Sequence, residues 1–193
     1  MDKQIRILGF AGSLRQNSYN KALLRVAVQL APKNTIIETF DLEEIPLFNQ
    51  DLETMPPQKV KEFKAKIKEA DAILIATPEY NYSIPGVLKN AIDWASRPYS
   101  DNAFNEKPVA IMGASTGMLG TARAQYHLRQ SLVFLNTHPV NRPEVFVQYA
   151  PEKFDENGKL KDEKTQQQVT KLLENLVSWT MRLSKGSVDS AQK

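Results

Sequence analysis

The sequence predicts an α/β fold: an open parallel sheet with helices on both faces. Two observations carry this expectation. Short apolar runs alternate with stretches of helical periodicity along the whole 193-residue chain, the signature of repeated strand–helix–strand units with right-handed crossovers. One of those runs, Ala72-Ile73-Leu74-Ile75-Ala76 between Asp71 and Thr77, is apolar without alternation, as a strand buried on both faces of a parallel sheet should be.

The elements follow in order. Ile5 to Phe10 reads as a buried strand that breaks into Ala11-Gly12-Ser13-Leu14-Arg15-Gln16-Asn17-Ser18-Tyr19-Asn20. A helix starts at Asn17 or Ser18, both good N-caps. Ala22, Leu23, Val26, Ala27 and Leu30 repeat at helical spacing until Pro32 stops it. Thr35 to Phe40 is a second strand, and Asp41 to Pro57 a loop punctuated by Pro46, Pro56 and Pro57. Pro57 to Ala70 is a lysine-rich amphipathic helix, with Val60, Phe63 and Ile67 as its apolar side. The strand ending at Thr77 leads into a turn-rich loop, Thr77 to Gly86, and a helix through Trp94. Pro108 to Gly113 is a fourth strand, followed by the small-residue loop Ala114–Gly120 and a helix from about Thr121 to Leu135. A fifth strand spans Pro139 to Val147, split by Asn141-Arg142-Pro143. Val169, Leu172, Leu173, Leu176, Val177, Thr180 and Leu183 mark a long final helix, and the polar tail from Ser184 is expected to fray. We expect one domain over residues 1–184, with 185–193 as that tail.

Composition narrows the function. Lys and Arg number 25 against 22 Asp and Glu, a formal net charge of +3, too small an excess to argue for nucleic acid. With no cysteine, disulfides, thiolate metal sites and thiol catalysis are excluded. His127 and His138 stand in no metal-ligand pattern. No signal peptide and no apolar run of membrane-spanning length is present, so a soluble cytoplasmic protein without membrane association is expected.

In open α/β sheets ligands bind beyond the carboxyl ends of the strands, and three unusual loops occupy that position: 11–20, 77–86 and 114–120. The first offers a helix N-terminus, the hydroxyls of Ser13 and Ser18, the Asn20 amide and the Arg15 guanidinium, which together suit a terminal phosphate. The same residues would also serve in an ordinary capped turn. Neither G-x-G-x-x-G nor G-x-x-x-x-G-K-[ST] is present, and Asp41 alone is a weak stand-in for an acidic ribose ligand. In the second loop Tyr80 and Tyr82 can wall a planar ring, with Glu79 and Asn81 at its polar edge, or simply pack the loop. The third lets backbone approach a ligand closely, its N–H groups favouring negative charge.

These stretches resemble one family, the NAD(P)H-dependent FMN reductases, flavodoxin-like quinone, azo-dye and chromate reductases. The likeness lies in GSLRQNSYN at Gly12–Asn20, PEYNYSIPGVLKNAIDW at Pro78–Trp94, GASTGMLGTARAQ at Gly113–Gln125 and RPEVFV at Arg142–Val147. It implies a flavodoxin-like three-layer α/β/α sandwich with a five-stranded parallel sheet of order 2-1-3-4-5. It implies that Ser13, Arg15, Ser18, Tyr19 and Asn20 hold the FMN phosphate end. Pro78, Glu79, Tyr80, Asn81 and Tyr82 would contact the isoalloxazine and ribityl chain, and Ser115, Thr116 and Gly117 the pyrimidine side of the ring. By the same likeness NADPH or NADH delivers a hydride to FMN, and a quinone, azo dye, chromate or free flavin takes the electrons. No catalytic side chain is needed, because the cofactor carries the reaction.

Family members commonly form dimers, and dimers can pair into tetramers. Helices Val87–Trp94 and Thr121–Leu135 are the expected contacts, with Arg123 and Glu144 proposed to meet across an interface. Two other classes fit the sequence less well. A flavodoxin-like electron carrier would want a strongly acidic surface, which the positive net charge opposes. A phosphoacceptor regulatory domain would want carboxylates after the first strand, where Gly9-Phe10-Ala11-Gly12 offers none.

Overall fold

A computed structural model of the chain describes residues 4–190, with the side chains of 186–190 left aside. Its sheet is built from β1 (Ile5–Ala11), β2 (Thr35–Phe40), β3 (Ala72–Ala76), β4 (Pro108–Ala114) and β5 (His138–Pro139) in the order β2-β1-β3-β4-β5, all parallel. The expected order and sandwich are both present.

The helices divide between the two faces as their apolar stripes require. On one side α1 (Tyr19–Gln29) and α6 (Glu163–Ser190) bury Leu23, Ala27, Val169, Leu172 and Leu176 against Ile7, Leu74 and Met112. On the other, α2 (Gln58–Glu69), α3 (Gly86–Ala95) and α4 (Ala122–Phe134) bury Phe63, Ile67, Ile92 and Leu128 against Phe10, Ile73 and Ile111. Every residue of β3 is buried, which accounts for its lack of alternation. Thus the three loops are carried by a sheet packed on both sides.

The fifth strand departs from expectation in form. Its first piece, β5, pairs with Pro108 and Val109, while β6 (Val145–Val147) pairs further along the same strand with Met112, Gly113 and Ala114. The Val140 N–H still donates to the Val109 carbonyl at 2.8 Å, and the segment 141–144 then leaves the ladder, where Pro143 has no N–H to donate. After β6, a short helix α5 (Ala150–Lys153) that sequence periodicity did not reveal has Pro151 in its first turn. At the other end, α6 continues past Ser184 through Ser190, because losing the apolar stripe does not by itself end a helix. The rest of the expected tail, 191–193, lies outside the described residues.

Candidate functional site: a cleft over the carboxyl ends of β1, β3 and β4

The three loops converge. All of the expected site residues except Asn81, Tyr82 and Gly117 line one open cleft of about 200 Å³, joined there by Ala114. Sequence reasoning missed Ala114, although its place as the first residue of the third loop was the available signal.

In the first loop, Gly12 N–H donates to the Ala76 carbonyl at 2.9 Å, so β1 and β3 stay paired up to the rim of the cleft. The chain then leaves the sheet. The backbone N–H groups of Leu14 to Asn17 find no acceptor among the described residues, and Gln16 and Asn17 form the turn that leads to Ser18. Ser18 is the N-cap of α1, its hydroxyl accepting from the N–H groups of Asn20 at 3.2 Å and Lys21 at 3.4 Å. Ser13 and Ser18 are buried, whereas Arg15 is exposed and makes no ion pair or hydrogen bond among the described residues. Asn20 has a different task from the one expected of its amide. Its Nδ2 donates to the Ala114 carbonyl and its Oδ1 accepts the Ala114 N–H, both at 2.9 Å. It ties the first loop to the third.

The second loop is a tight turn. Tyr80 and Ser83 exchange two backbone hydrogen bonds of 3.0 Å, and Asn81 and Tyr82 between them both have positive φ, 49° and 67°, the geometry of a type I′ turn. Asn81 and Tyr82 are not among the residues that line the cleft, whereas Tyr80, 51% exposed, is. Glu79 turns inward. Its buried carboxylate pairs with the Arg123 guanidinium and accepts the Ala124 N–H at 3.2 Å. The guanidinium in turn lies over the Tyr82 ring, 3.5 Å from its centroid. Glu79 therefore borders the cleft, but its charge serves the wall.

Glu79 also corrects a reading of the third loop. The N-cap of α4, Thr121, makes no side-chain capping bond, and the Glu79 carboxylate takes that role from a different loop, meeting the positive end of the helix. In the loop itself the Gly117 N–H donates to Ser115 Oγ at 3.0 Å, which withdraws it from any ligand. Gly113 shows why small residues recur here: a Cβ at this position would collide with Thr121 Oγ1 and the Thr77 carbonyl.

Arg123 and Glu144 are each engaged within the chain. Arg123 is held by Glu79 and Tyr82, and Glu144 accepts a hydrogen bond from Tyr126, which raises the phenol pKa above its usual range. The expected Arg123–Glu144 contact is one between two copies, and each residue would bring its partner within the chain to it.

A larger concavity of about 770 Å³ opens at the opposite, amino end of the sheet. Its charges are largely answered locally: His138 lies 2.8 Å from Glu106, and the Lys107 ammonium donates to the Lys68 and Ala70 carbonyls at 2.9 and 2.6 Å. Burial lowers the Lys107 pKa. In an open α/β sheet the ligand-bearing side is the carboxyl one, and the three loops lie there.

With this geometry in place, comparison with known proteins is decisive. The model of the NADPH-dependent FMN reductase family matches residues 5–152. The chain belongs to that family. It is an oxidoreductase that works with FMN and NAD(P)H. An NAD(P)H-dependent FMN reductase of Pseudomonas aeruginosa is 52% identical over 184 residues, covering 95% of this chain and 99% of the relative. An NAD(P)H:quinone oxidoreductase of Solanum tuberosum is 46% identical over 188 residues, covering 93% of this chain and 94% of its own. Among solved structures, FerB from Paracoccus denitrificans, a flavoenzyme NAD(P)H:(acceptor) oxidoreductase, superposes with a TM-score of 0.85 at 36% identity, covering 92% of this chain and 98% of FerB. This FMN reductase family member thus shares fold and length with enzymes that pass electrons to small molecules. Among its described residues no helix is long and apolar enough to cross a membrane, and no cluster of potential metal ligands occurs.

Proposed function

We propose that the cleft binds FMN, and that the protein passes a hydride from NAD(P)H through it to a quinone, with azo compounds, chromate and free flavin as further acceptors. One observation carries the assignment of the cleft: an unpaired Arg15 stands beside a run of backbone N–H groups without acceptors at the start of α1. Such a set suits a phosphate dianion. Arg15 and those N–H groups hold its oxygens, with Ser13 and the free hydroxyl hydrogen of Ser18 as further donors. Tyr19 closes one side of this cradle, its ring already braced by Phe154 at 5.6 Å. Asn20 acts at one remove by fixing the end of β4.

The planar part of the cofactor lies along Pro78–Tyr80, with the Tyr80 face as one wall. Ser115, Thr116 and Ala114 line the opposite side, where the Thr116 N–H is free to donate. Asn81, Tyr82 and Gly117 support these walls from behind. When bound, FMN supplies the acceptance and release of two electrons with a proton. The chain's part is to orient the ring and leave one face open to donor and acceptor in turn.

The reading extends to a single cytoplasmic domain that works as a homodimer, with pairing into tetramers. Tyr126, Val133 and Phe134 stand 54%, 77% and 72% exposed on α4, and so much apolar surface on one helix supports contact with a second copy. The direct test is optical. Purified protein should be yellow with FMN absorbance, bleach on addition of NADPH, and regain colour when a benzoquinone is added. Colourless protein that takes up no FMN overturns the proposal.

A further inference from the structure

We infer that a second concavity beside the cleft, at the carboxyl ends of β1 and β2, takes the adenosine end of NADPH and reads its 2′-phosphate. This rests on the reading of the cleft as the flavin and nicotinamide site, and it adds where the rest of the dinucleotide goes.

The concavity measures about 250 Å³, and its lining includes Lys21, Leu24 and Arg25 of α1, Ala11 at the end of β1, Phe40 at the end of β2 and Asp41 just after it. It adjoins the cleft through the backbone on both sides. Ala11 directly precedes Gly12 and Ser13, and Lys21 directly follows Asn20. Along α1, Ser18, Lys21 and Arg25 are spaced three and then four residues apart, so they share one face. The cap that borders the cleft and the cations of the second concavity form a single row.

The chemistry of the lining is that of a phosphorylated nucleoside. Lys21 Nζ donates to Asp41 Oδ2 at 2.9 Å, which fixes both. Lys59 sits over the Phe40 ring, 4.8 Å from its centroid, at the edge of the concavity. Arg25 is exposed and has no ion pair or hydrogen bond among the described residues. Two cations, Lys21 and Lys59, therefore act on the one carboxylate that lines the space, and Arg25, whose guanidinium rests beside Gly158, supplies a third at its border. Leu24 and Phe40 supply apolar surface for a base. Asp41 can accept from a ribose hydroxyl, while Arg25 and Lys21 face a phosphate dianion. A ribose without the 2′-phosphate would leave Arg25 unmatched.

Calorimetric titration of the FMN-loaded protein with adenosine 2′,5′-bisphosphate and with 5′-AMP tests the site apart from catalysis. The bisphosphate should bind about tenfold more tightly, a preference that Arg25→Glu abolishes. In steady state the same variant should raise the ratio of KM for NADPH to KM for NADH about tenfold. Lys59→Glu, on another element, should move both readouts in the same direction and guards against a local disturbance of α1. Equal binding of the two nucleotides, or an unchanged KM ratio in both variants, overturns the inference. If neither dinucleotide is oxidised, the functional reading of the cleft fails, and the nucleotide titration still decides this site.

Discussion

Asn20 and Ala114 lie 94 positions apart and exchange two hydrogen bonds of 2.9 Å, the side-chain amide of one meeting the backbone of the other as a neighbouring strand would. Asn20 is 3% exposed, so neither Ala114 group has water as a substitute. Asn20→Ala should destabilise the protein by about 2–4 kcal/mol, since two buried backbone groups are orphaned together. Urea denaturation of the variant gives the number. A loss below about 0.5 kcal/mol would mean that solvent replaces the amide.

Arg15 is the test of the phosphate cradle. Removing one charge-assisted partner should cost about 1.5–3 kcal/mol, roughly ten- to hundredfold in FMN affinity. Riboflavin lacks the phosphate, so its weaker binding should hardly change in Arg15→Ala. Tyr80→Ala should weaken both flavins alike. Fluorescence titration of each protein with each flavin separates the cases, and equal losses for FMN and riboflavin in Arg15→Ala would falsify the assignment.

The Glu79–Arg123 pair predicts a loss on either side. Arg123→Ala leaves a buried carboxylate with the Ala124 N–H as its remaining partner, and the half-exposed guanidinium tempers the effect to about 1–2 kcal/mol. Arg123→Lys should recover part of the ion pair but not the flat contact with Tyr82. Thermal melts of the three proteins should therefore rank wild type, then Lys, then Ala. Equal melting of all three would show that the pair contributes nothing.

At the start of α6, the Thr165 hydroxyl and then its N–H donate to the Asp162 carboxylate and hold its pKa below the ordinary 3.8. A carboxyl whose folded pKa is depressed contributes stability above its unfolded value and loses it as pH falls through the folded one. Asp162→Asn should thus be less stable than wild type near neutrality, with the gap closing below about pH 4. Denaturation at pH 3 and pH 7 checks the sign, and a gap that widens on acidification contradicts it.

Because donor and acceptor use one open face of the bound cofactor in turn, initial rates should follow a ping-pong pattern. Double-reciprocal plots at several quinone concentrations should run parallel. Intersecting lines that persist with a second acceptor count against a shared face.

Most of the architecture could be read from the sequence, because buried parallel strands and amphipathic helices leave one-dimensional periodicities. The apolar run through Leu74 and the stripe Val60–Phe63–Ile67 are local signals. What escaped was long-range pairing. No spacing rule links Glu79 to the N-terminus of α4 or to Arg123, 44 positions away. Asn20 was assigned to a ligand for the same reason: its Ala114 partner is backbone, which every residue possesses. The turn at Asn81 and Tyr82 escaped too, because positive φ at two consecutive non-glycine positions leaves no clear mark in composition.

The broken fifth strand matters for how this molecule behaves in a crowded solution. A continuous strand at the border of a sheet presents a ladder on which another chain can build. Here β5 offers two residues and β6 three, with 141–144 leaving the ladder between them. The opposite border, β2, carries Glu38 in ion pairs with Lys66 and Arg6, so an incoming strand would have to displace charge. Neither border is a good template, and resistance to edge-on aggregation follows from the same interruption that sets β6 beside the cleft.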